Sequence, residues 1–317
     1  MVPTRDTKDL TSRCVAAVRR ESPDARIAVV DDGSLDGTAA ALRRDHPGVR
    51  VIENARSRGF SAAANQGLAI VEGDLLLLLN SDTEIGHGSL AALRNVFQYD
   101  RSLGIVGPEL RYADARAQWS GGAAPTLTWL FVLASGLTWP LSRLPGYRLL
   151  HPLRSPDRQQ VDWVTGAAMA FRREVWDEAG PFDERFRLYA QDLDFCIRAG
   201  EAGWRVEIVP GFRVVHHHGA TVGRRPGAAG RQNPELLWTD LIRWAHKNRG
   251  GRWARRAARA LRRGGRLRIL GRRLGSRLAH RGRREAWRRD TLAYERALRA
   301  VDAIASDRDP SASDTAR

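Results

Sequence analysis

The sequence predicts an α/β protein: a mostly parallel sheet with helices on both faces, followed by a basic helical extension. Three observations lead there. Short apolar runs alternate with amphipathic stretches from residue 10 to residue 106. Two of those runs end in acidic loops, at Asp31 and at Asp82. Past residue 222 the composition changes to arginine-rich helical sequence. Alternating strands and helices bury a parallel sheet between two helical layers.

The elements follow in order. Residues 10–20 place Leu10, Cys14, Val15 and Val18 on one face of a helix. Ile27–Val30 is a buried strand that runs into Asp31-Asp32-Gly33-Ser34. Gly37 opens a second helix that continues through Arg44, and Val49–Ile52 is the next strand. Residues 61–71 are Ala-rich and helical, and Leu75–Leu79 is a fully apolar strand ending at Asn80-Ser81-Asp82. Ser89–Tyr99 is helical and Gly104–Val106 is another strand. Before the first helix stand only Met1 and Val2 ahead of Pro3-Thr4, so the first strand is very short or the true start lies upstream.

The second half is less regular. Residues 109–160 show no clean period and are expected to form an irregular excursion. Val161–Arg172 is strand-like with Gly166 inside, and Asp192–Ala202 is helical with Leu193, Cys196 and Ile197 facing the core. Val206–Val209 and Arg213–His216 are expected as two short strands. Asn233 caps a helix whose first residue is Pro234, a favoured start. The expected division is a domain over 1–222 and an extension over 223–317.

Charge is unevenly distributed. The 317-residue chain carries +16, but Arg243–Arg289 alone holds nineteen basic residues and one acid, Glu285. The rest of the chain is therefore close to neutral. Leucines and Trp253 are interleaved with those arginines, a pattern that suits a helix lying on an anionic membrane. It equally suits a solvated arginine face. A basic stripe also fits phosphate backbones, but no nucleic-acid module or stacking pattern accompanies it, which argues against nucleic acid. Lys8 and Lys247 are the only lysines, and so strong a skew to arginine also arises from base composition.

The two cysteines, Cys14 and Cys196, form no disulfide framework or metal-ligand spacing. No apolar leader is expected, and neither Leu75–Leu79 nor the run from Trp129 to Leu141 approaches the roughly 20 residues of a spanning helix. The expected setting is cytoplasmic, with peripheral attachment to the inner face of the plasma membrane.

Four clusters carry candidate chemistry, and each has a plainer structural reading. Asp82 ends a buried strand, where a carboxylate can hold a divalent cation against phosphates, or simply make a turn. Asp31 and Asp32 can accept from a base N–H, or cap the following helix. Asp192 and Asp194 stand at a helix N-terminus, where one can face a cleft as general base while the other pairs outward with Arg198. In His216-His217-His218 alternate side chains face opposite ways, so at most two share a face.

Taken together these clusters form an ordered set: Val29–Thr38, Arg58-Gly59-Phe60 with Asn65-Gln66-Gly67, Leu79–Thr83, Thr165–Met169, Gly180–Glu184, Tyr189–Asp194 and His216–Thr221. The set closely resembles family 2 inverting glycosyltransferases, rhamnosyltransferase-like branch, over residues 1–222. The resemblance implies a GT-A fold with a Rossmann-like sheet. It implies that Asp31 binds the nucleobase beside Thr4, with Asp32 and Arg58 also on the donor. Asn80 and Asp82 occupy the DxD position, with Asp82 and His216 as ligands of Mg²⁺ or Mn²⁺, and Asp192 is the base. Two positions depart from the pattern: Asn80 replaces the first DxD acid, and Gln191 replaces the acid before the base. The implied function is transfer of a sugar, best matched to L-rhamnose on dTDP, from a nucleotide-sugar to a hydroxyl of a cell-envelope glycan or lipid-linked saccharide. A UDP-sugar donor and a non-catalytic basic binding protein are the alternatives.

Overall fold

The computed structural model describes residues 1–141, 158–217, 233–278 and 280–306. The chain groups into two compact units. One comprises Met1–Ala124, Leu150–Glu184 and Gln191–Arg231; the other comprises Pro125–Leu149, Arg185–Ala190 and Gln232–Arg317. The boundary therefore does not follow chain order. Two segments from within 1–222 group with the C-terminal helices.

In the first unit, β1 (Val2–Thr4), α1 (Lys8–Glu21), β2 (Ala28–Asp31), α2 (Thr38–Asp45) and β3 (Arg50–Glu53) form a parallel half. Thr4 stands beside Asp31, and Asp31 beside Glu53. The first strand is thus three residues long. After α3 (Phe60–Ile70) comes β4 (Leu75–Leu79), whose Leu79 N–H donates to the Met1 carbonyl at 3.1 Å. That bond joins the parallel half to the remaining strands.

Those strands are β5 (Thr83–Ile85), then, after α4 (Ser89–Tyr99), β6 (Leu103–Arg111) and the short β7 (Gly121–Gly122). In the second unit lie α5 (Leu127–Ser135) and α6 (Thr138–Leu141). The first unit resumes with β8 (Gln159–Gln160), β9 (Trp163–Val164), β10 (Ala168–Arg172), α7 (Arg173–Ala179), α8 (Gln191–Glu201) and β11 (Arg205–His216). This half is mixed: in the order β4-β10-β6-β11-β5, only β6 and β11 run parallel.

Strand periodicity explains the two helical layers. Alternate residues of a strand face opposite sides. Val29 and Leu79 pack with Cys14, Val15 and Val18 of α1 and Leu93 and Phe97 of α4. Val30, Leu76 and Leu78 pack with Ala64 and Leu68 of α3, Val175 of α7 and Phe195 of α8. Both cysteines are buried and free, and burial pushes the Cys14 thiol up to about 12, which removes it as a nucleophile.

Three expectations need correction. The excursion over 109–160 is not irregular throughout: β6 runs on to Arg111, and residues 127–135 form a helix capped by the Thr126 hydroxyl. Val161–Arg172 is two strands, because Thr165–Ala167 leaves the sheet to form a loop. Val206–Val209 and Arg213–His216 are one strand, β11, with a register shift between Val209 and Arg213 that absorbs Pro210.

The second unit contains α9 (Pro234–Leu278), bent at Gly250, and α10 (Arg281–Ser306). The Asn233 side chain accepts from the Glu235 N–H at 3.0 Å, so the expected cap is formed. A Cβ on Gly264 would lie 2.5 Å from the Phe131 carbonyl oxygen, so only glycine lets α5 approach α9 here. Arginines of α9 pair with acids of α10, as in Arg272–Asp290 and Arg273–Glu295. No described helix is long and apolar enough to cross a membrane.

Candidate active site

The candidate residues sit at the carboxyl ends of β2, β4 and β11, and at the start of α8. Open α/β sheets bind ligands at such strand ends. At the end of β2, Asp31 is buried and one of its oxygens accepts from the Ser34 N–H at 2.9 Å. Asp32 faces the next loop. Its carboxylate accepts from Ser57 Oγ (2.6 Å), the Arg58 and Gly59 N–H groups (2.8 and 2.9 Å) and Asn54 Nδ2 (3.0 Å). Burial works against its charge, but these four donors hold Asp32 below the usual carboxylate range. Asp32 is thereby committed to shaping the loop that presents exposed Arg58.

Gly33 has φ +77°, and a Cβ there would lie 2.9 Å from the Arg56 and Ser57 backbone. The tight crossing beneath Arg58 therefore requires glycine. Thr4 is in register with Asp31, and its hydroxyl bonds to Thr7 and Thr11 at 2.9 and 2.7 Å. Thr7 in turn bonds to Ser81 at 2.8 Å, so this buried hydroxyl chain ties α1 to the end of β4.

At the end of β4, Asp82 is 3 % exposed and its main chain accepts from the His217 N–H at 2.8 Å. Register places His216 beside Thr83, one residue from Asp82. His216 Nε2 lies 3.2 Å from Asp82 Oδ1, yet that oxygen accepts no hydrogen bond, and neither does the buried Asn80 Oδ1. His217 points elsewhere, to Glu84 at 2.8 Å. The rest of that motif, 218–221, lies outside the described residues. Gln118, which no periodicity or motif singles out, is buried against His216 and bonds to its ring and its carbonyl.

The Asn80 N–H donates to the Ala167 carbonyl at 2.8 Å, and the Gly166 N–H donates to Asp192 Oδ2 at 2.8 Å. One short loop thus joins the end of β4 to the start of α8. This is why Thr165–Ala167 leaves the sheet. The other oxygen of Asp192 accepts from the Leu193 N–H at 2.8 Å. Asp192 is half-buried, and desolvation raises its carboxyl above the usual range despite those two N–H donors. Asp194 turns the other way, fully buried and paired with Arg198 at 2.9 Å, as its spacing predicts. Asp192, Asn80, Asp82 and His216 are thereby linked, while Arg58 stands apart on the loop shaped by Asp32.

The fold is of the GT-A type, with carboxylates at the strand ends where such a sheet binds its ligands. The chain belongs to glycosyl transferase family 2, whose model matches residues 1–177. An N-acetylglucosaminyl-diphospho-decaprenol L-rhamnosyltransferase of Mycobacterium tuberculosis is 30 % identical over 64 % of this chain and 69 % of its own length. An O-antigen biosynthesis protein, RfbC of Myxococcus xanthus, is 28 % identical over 70 % of this chain and 17 % of its own. Among solved structures, a mannosyltransferase of Pyrobaculum calidifontis in complex with GDP-Man and Mn²⁺ shares the fold with TM-score 0.56. It is 17 % identical, over 96 % of this chain and 85 % of that one.

The residues at the end of β4 fit a divalent cation. Among the described residues no group of three His, Cys, Asp or Glu side chains converges on one point. Two buried side-chain oxygens there nevertheless lack hydrogen-bond partners, an arrangement that costs free energy unless something binds them. Adjacent ligands of an octahedral ion, each about 2.1 Å from it, stand about 3 Å apart without pointing at each other. Asp82 Oδ1 and His216 Nε2 have that relation.

Proposed function

We propose that this glycosyltransferase moves a sugar, best matched to L-rhamnose carried on dTDP, to a hydroxyl of a lipid-linked or cell-envelope glycan, with inversion. The observation that carries the reading is Asp192: a carboxylate with a raised pKa, held by the Gly166 loop that also borders Asn80. Raised basicity suits a general base for an alcohol. Asp192 takes the acceptor's hydroxyl proton. The oxygen attacks the anomeric carbon on the face opposite the diphosphate. As that bond forms, the bond from the anomeric carbon to the diphosphate oxygen breaks, and its electron pair leaves with the nucleotide. Asp31 offers a second, unshared carboxylate oxygen to a base N–H, and Arg58 serves the phosphates. Asp82, His216 and the Asn80 amide oxygen would hold Mg²⁺ or Mn²⁺. When bound, that ion neutralises charge on the departing diphosphate.

The donor sugar and the polyprenyl-diphosphate class of acceptor are supported by the activity of the mycobacterial relative. Calorimetric titration with dTDP, UDP and GDP, with and without Mg²⁺ or Mn²⁺, tests the donor side. Metal-dependent binding strongest for dTDP is expected. A UDP preference would move the donor to a UDP-sugar, and no binding of any nucleotide would sink the reading.

An anionic membrane surface is the second partner proposed. Leu267, Leu270 and Leu274 are exposed along one face of α9, beside exposed Arg263, Arg266 and Arg277, and Leu292 is exposed on α10. Arg272, Arg273 and Arg288 line an open groove between the helices with Trp287 and Leu292. The full chain should co-sediment with vesicles containing phosphatidylglycerol, less so at high salt, and not with pure phosphatidylcholine. Leu270→Ser with Leu274→Ser should reduce that binding. Equal sedimentation with both vesicle types would refute a charge-directed surface.

A further inference from the structure

Gln118 follows β6 in a stretch whose sequence carries no recognisable pattern, yet it bonds to both the ring and the main chain of His216. Its Nε2 donates to the His216 carbonyl oxygen at 2.7 Å and reaches the Arg111 carbonyl at 3.4 Å. Its Oε1 lies 3.0 Å from His216 Nδ1. Both residues are 6 % exposed. A carbonyl oxygen only accepts, so the short bond identifies which end of the Gln118 amide is nitrogen. Oε1 must then face the ring, and because it too only accepts, Nδ1 carries the proton. Neutral imidazole has one N–H, so Nε2 keeps its lone pair. Nε2 is the atom 3.2 Å from Asp82 Oδ1, the buried oxygen without a hydrogen bond.

We propose that Gln118 is a positioning residue that clamps His216 by ring and main chain, locking the tautomer whose unprotonated Nε2 converges with Asp82 on a divalent cation. The inference rests on the reading of Asp82 and His216 as that cation's ligands. Partners of the second ring nitrogen orient histidine ligands, and their loss weakens metal binding about 10–100-fold. The amide does more than a single such partner, because its other end is anchored on the main chain of the same residue. Loss of the clamp frees the ring to rotate and to take the other tautomer, in which Nε2–H repels a cation.

The test titrates Mn²⁺ into the full chain and reads free Mn²⁺ by electron paramagnetic resonance, with dTDP present and absent. Gln118→Leu, which removes both amide bonds at similar volume, should weaken Mn²⁺ binding about 10–100-fold. Gln118→Glu, which still accepts from Nδ1–H, should recover most of it. Metal-free dTDP binding should be the same in all three proteins. If His216→Ala weakens Mn²⁺ binding but a folded Gln118→Leu binds as the wild type does, Gln118 is not a positioning residue and the ligand reading stands. If His216→Ala binds Mn²⁺ unchanged, the ligand reading fails and takes this inference with it. One measurement needs no variant at all. Long-range ¹H–¹⁵N spectra of the metal-free protein, at a pH where its imidazoles are neutral, should show His216 as the Nδ1–H tautomer. An Nε2–H signature overturns the proposal.

Discussion

Asp192→Asn is expected to lower the rate of sugar transfer by about 10²–10⁴-fold, the usual contribution of a general base. Nucleotide affinity should stay close to that of the wild type. The nucleotide-side groups, Asp31 and Arg58, share no hydrogen bond with Asp192. The substitution is not structurally silent. Asp192 accepts from two backbone N–H groups, Gly166 and Leu193, and an asparagine oxygen can satisfy only one of them. A melting curve should therefore accompany the kinetics, and loss of nucleotide binding in a folded variant would count against the base assignment. The pH dependence has a definite sign. The base works deprotonated, so kcat/KM should fall as pH drops through its pKa. Because burial raises that pKa, the acid limb should lie above the range of an ordinary carboxylate. Asp192→Asn should abolish this limb along with the rate.

Asp240→Ala should be the most destabilising single change outside the candidate site. Asp240 is fully buried on α9. It accepts from the Tyr189 and Leu188 N–H groups at 3.0 and 3.2 Å and pairs with Arg243 at 2.9 Å. Alanine leaves a largely buried guanidinium and the Arg187, Leu188 and Tyr189 N–H groups without that carboxylate. Breaking a buried pair in this way costs about 3–5 kcal/mol. The Tyr189 hydroxyl, which accepts from the Asn233 N–H at 3.0 Å, would still tie residues 185–190 to the start of α9. Urea unfolding of the second unit, followed by tryptophan fluorescence, would measure the loss. A midpoint unchanged from the wild type would mean that Asp240 does not hold residues 185–190 in place.

Much of the fold was legible because burial on two faces imposes a period. β4 and α4 occupy the residues their patterns mark, and α1, β2, α2, β3, α3 and α8 differ from expectation by two residues or fewer at each end. The pairing of Asp194 with Arg198 followed from helical spacing alone. Less of the site was legible. Asp31 and Asp32 are neighbours of the same type, and only the crossing of the 54–59 loop over Gly33 commits Asp32 to that loop. Thr165–Ala167 carries a strand-like pattern, but the Gly166 N–H bonds to the Asp192 side chain and the Ala167 N–H to Thr165 Oγ1 rather than to a strand.

Local chemistry determined where strands end, which helices are amphipathic, which carboxylates stand at strand ends and how much charge the last third carries. These properties need only a residue and its near neighbours in sequence. Folding in three dimensions decided which polar atoms face one another. It brought Gln118 to His216 across 98 residues and Asp192 to Gly166 across 26, and set acids of α10 against arginines of α9. A hydrogen bond forms within about 3 Å, whatever the separation along the chain. A side chain's partner, and with it its tautomer or its basicity, is therefore a property of the packed fold rather than of the local sequence.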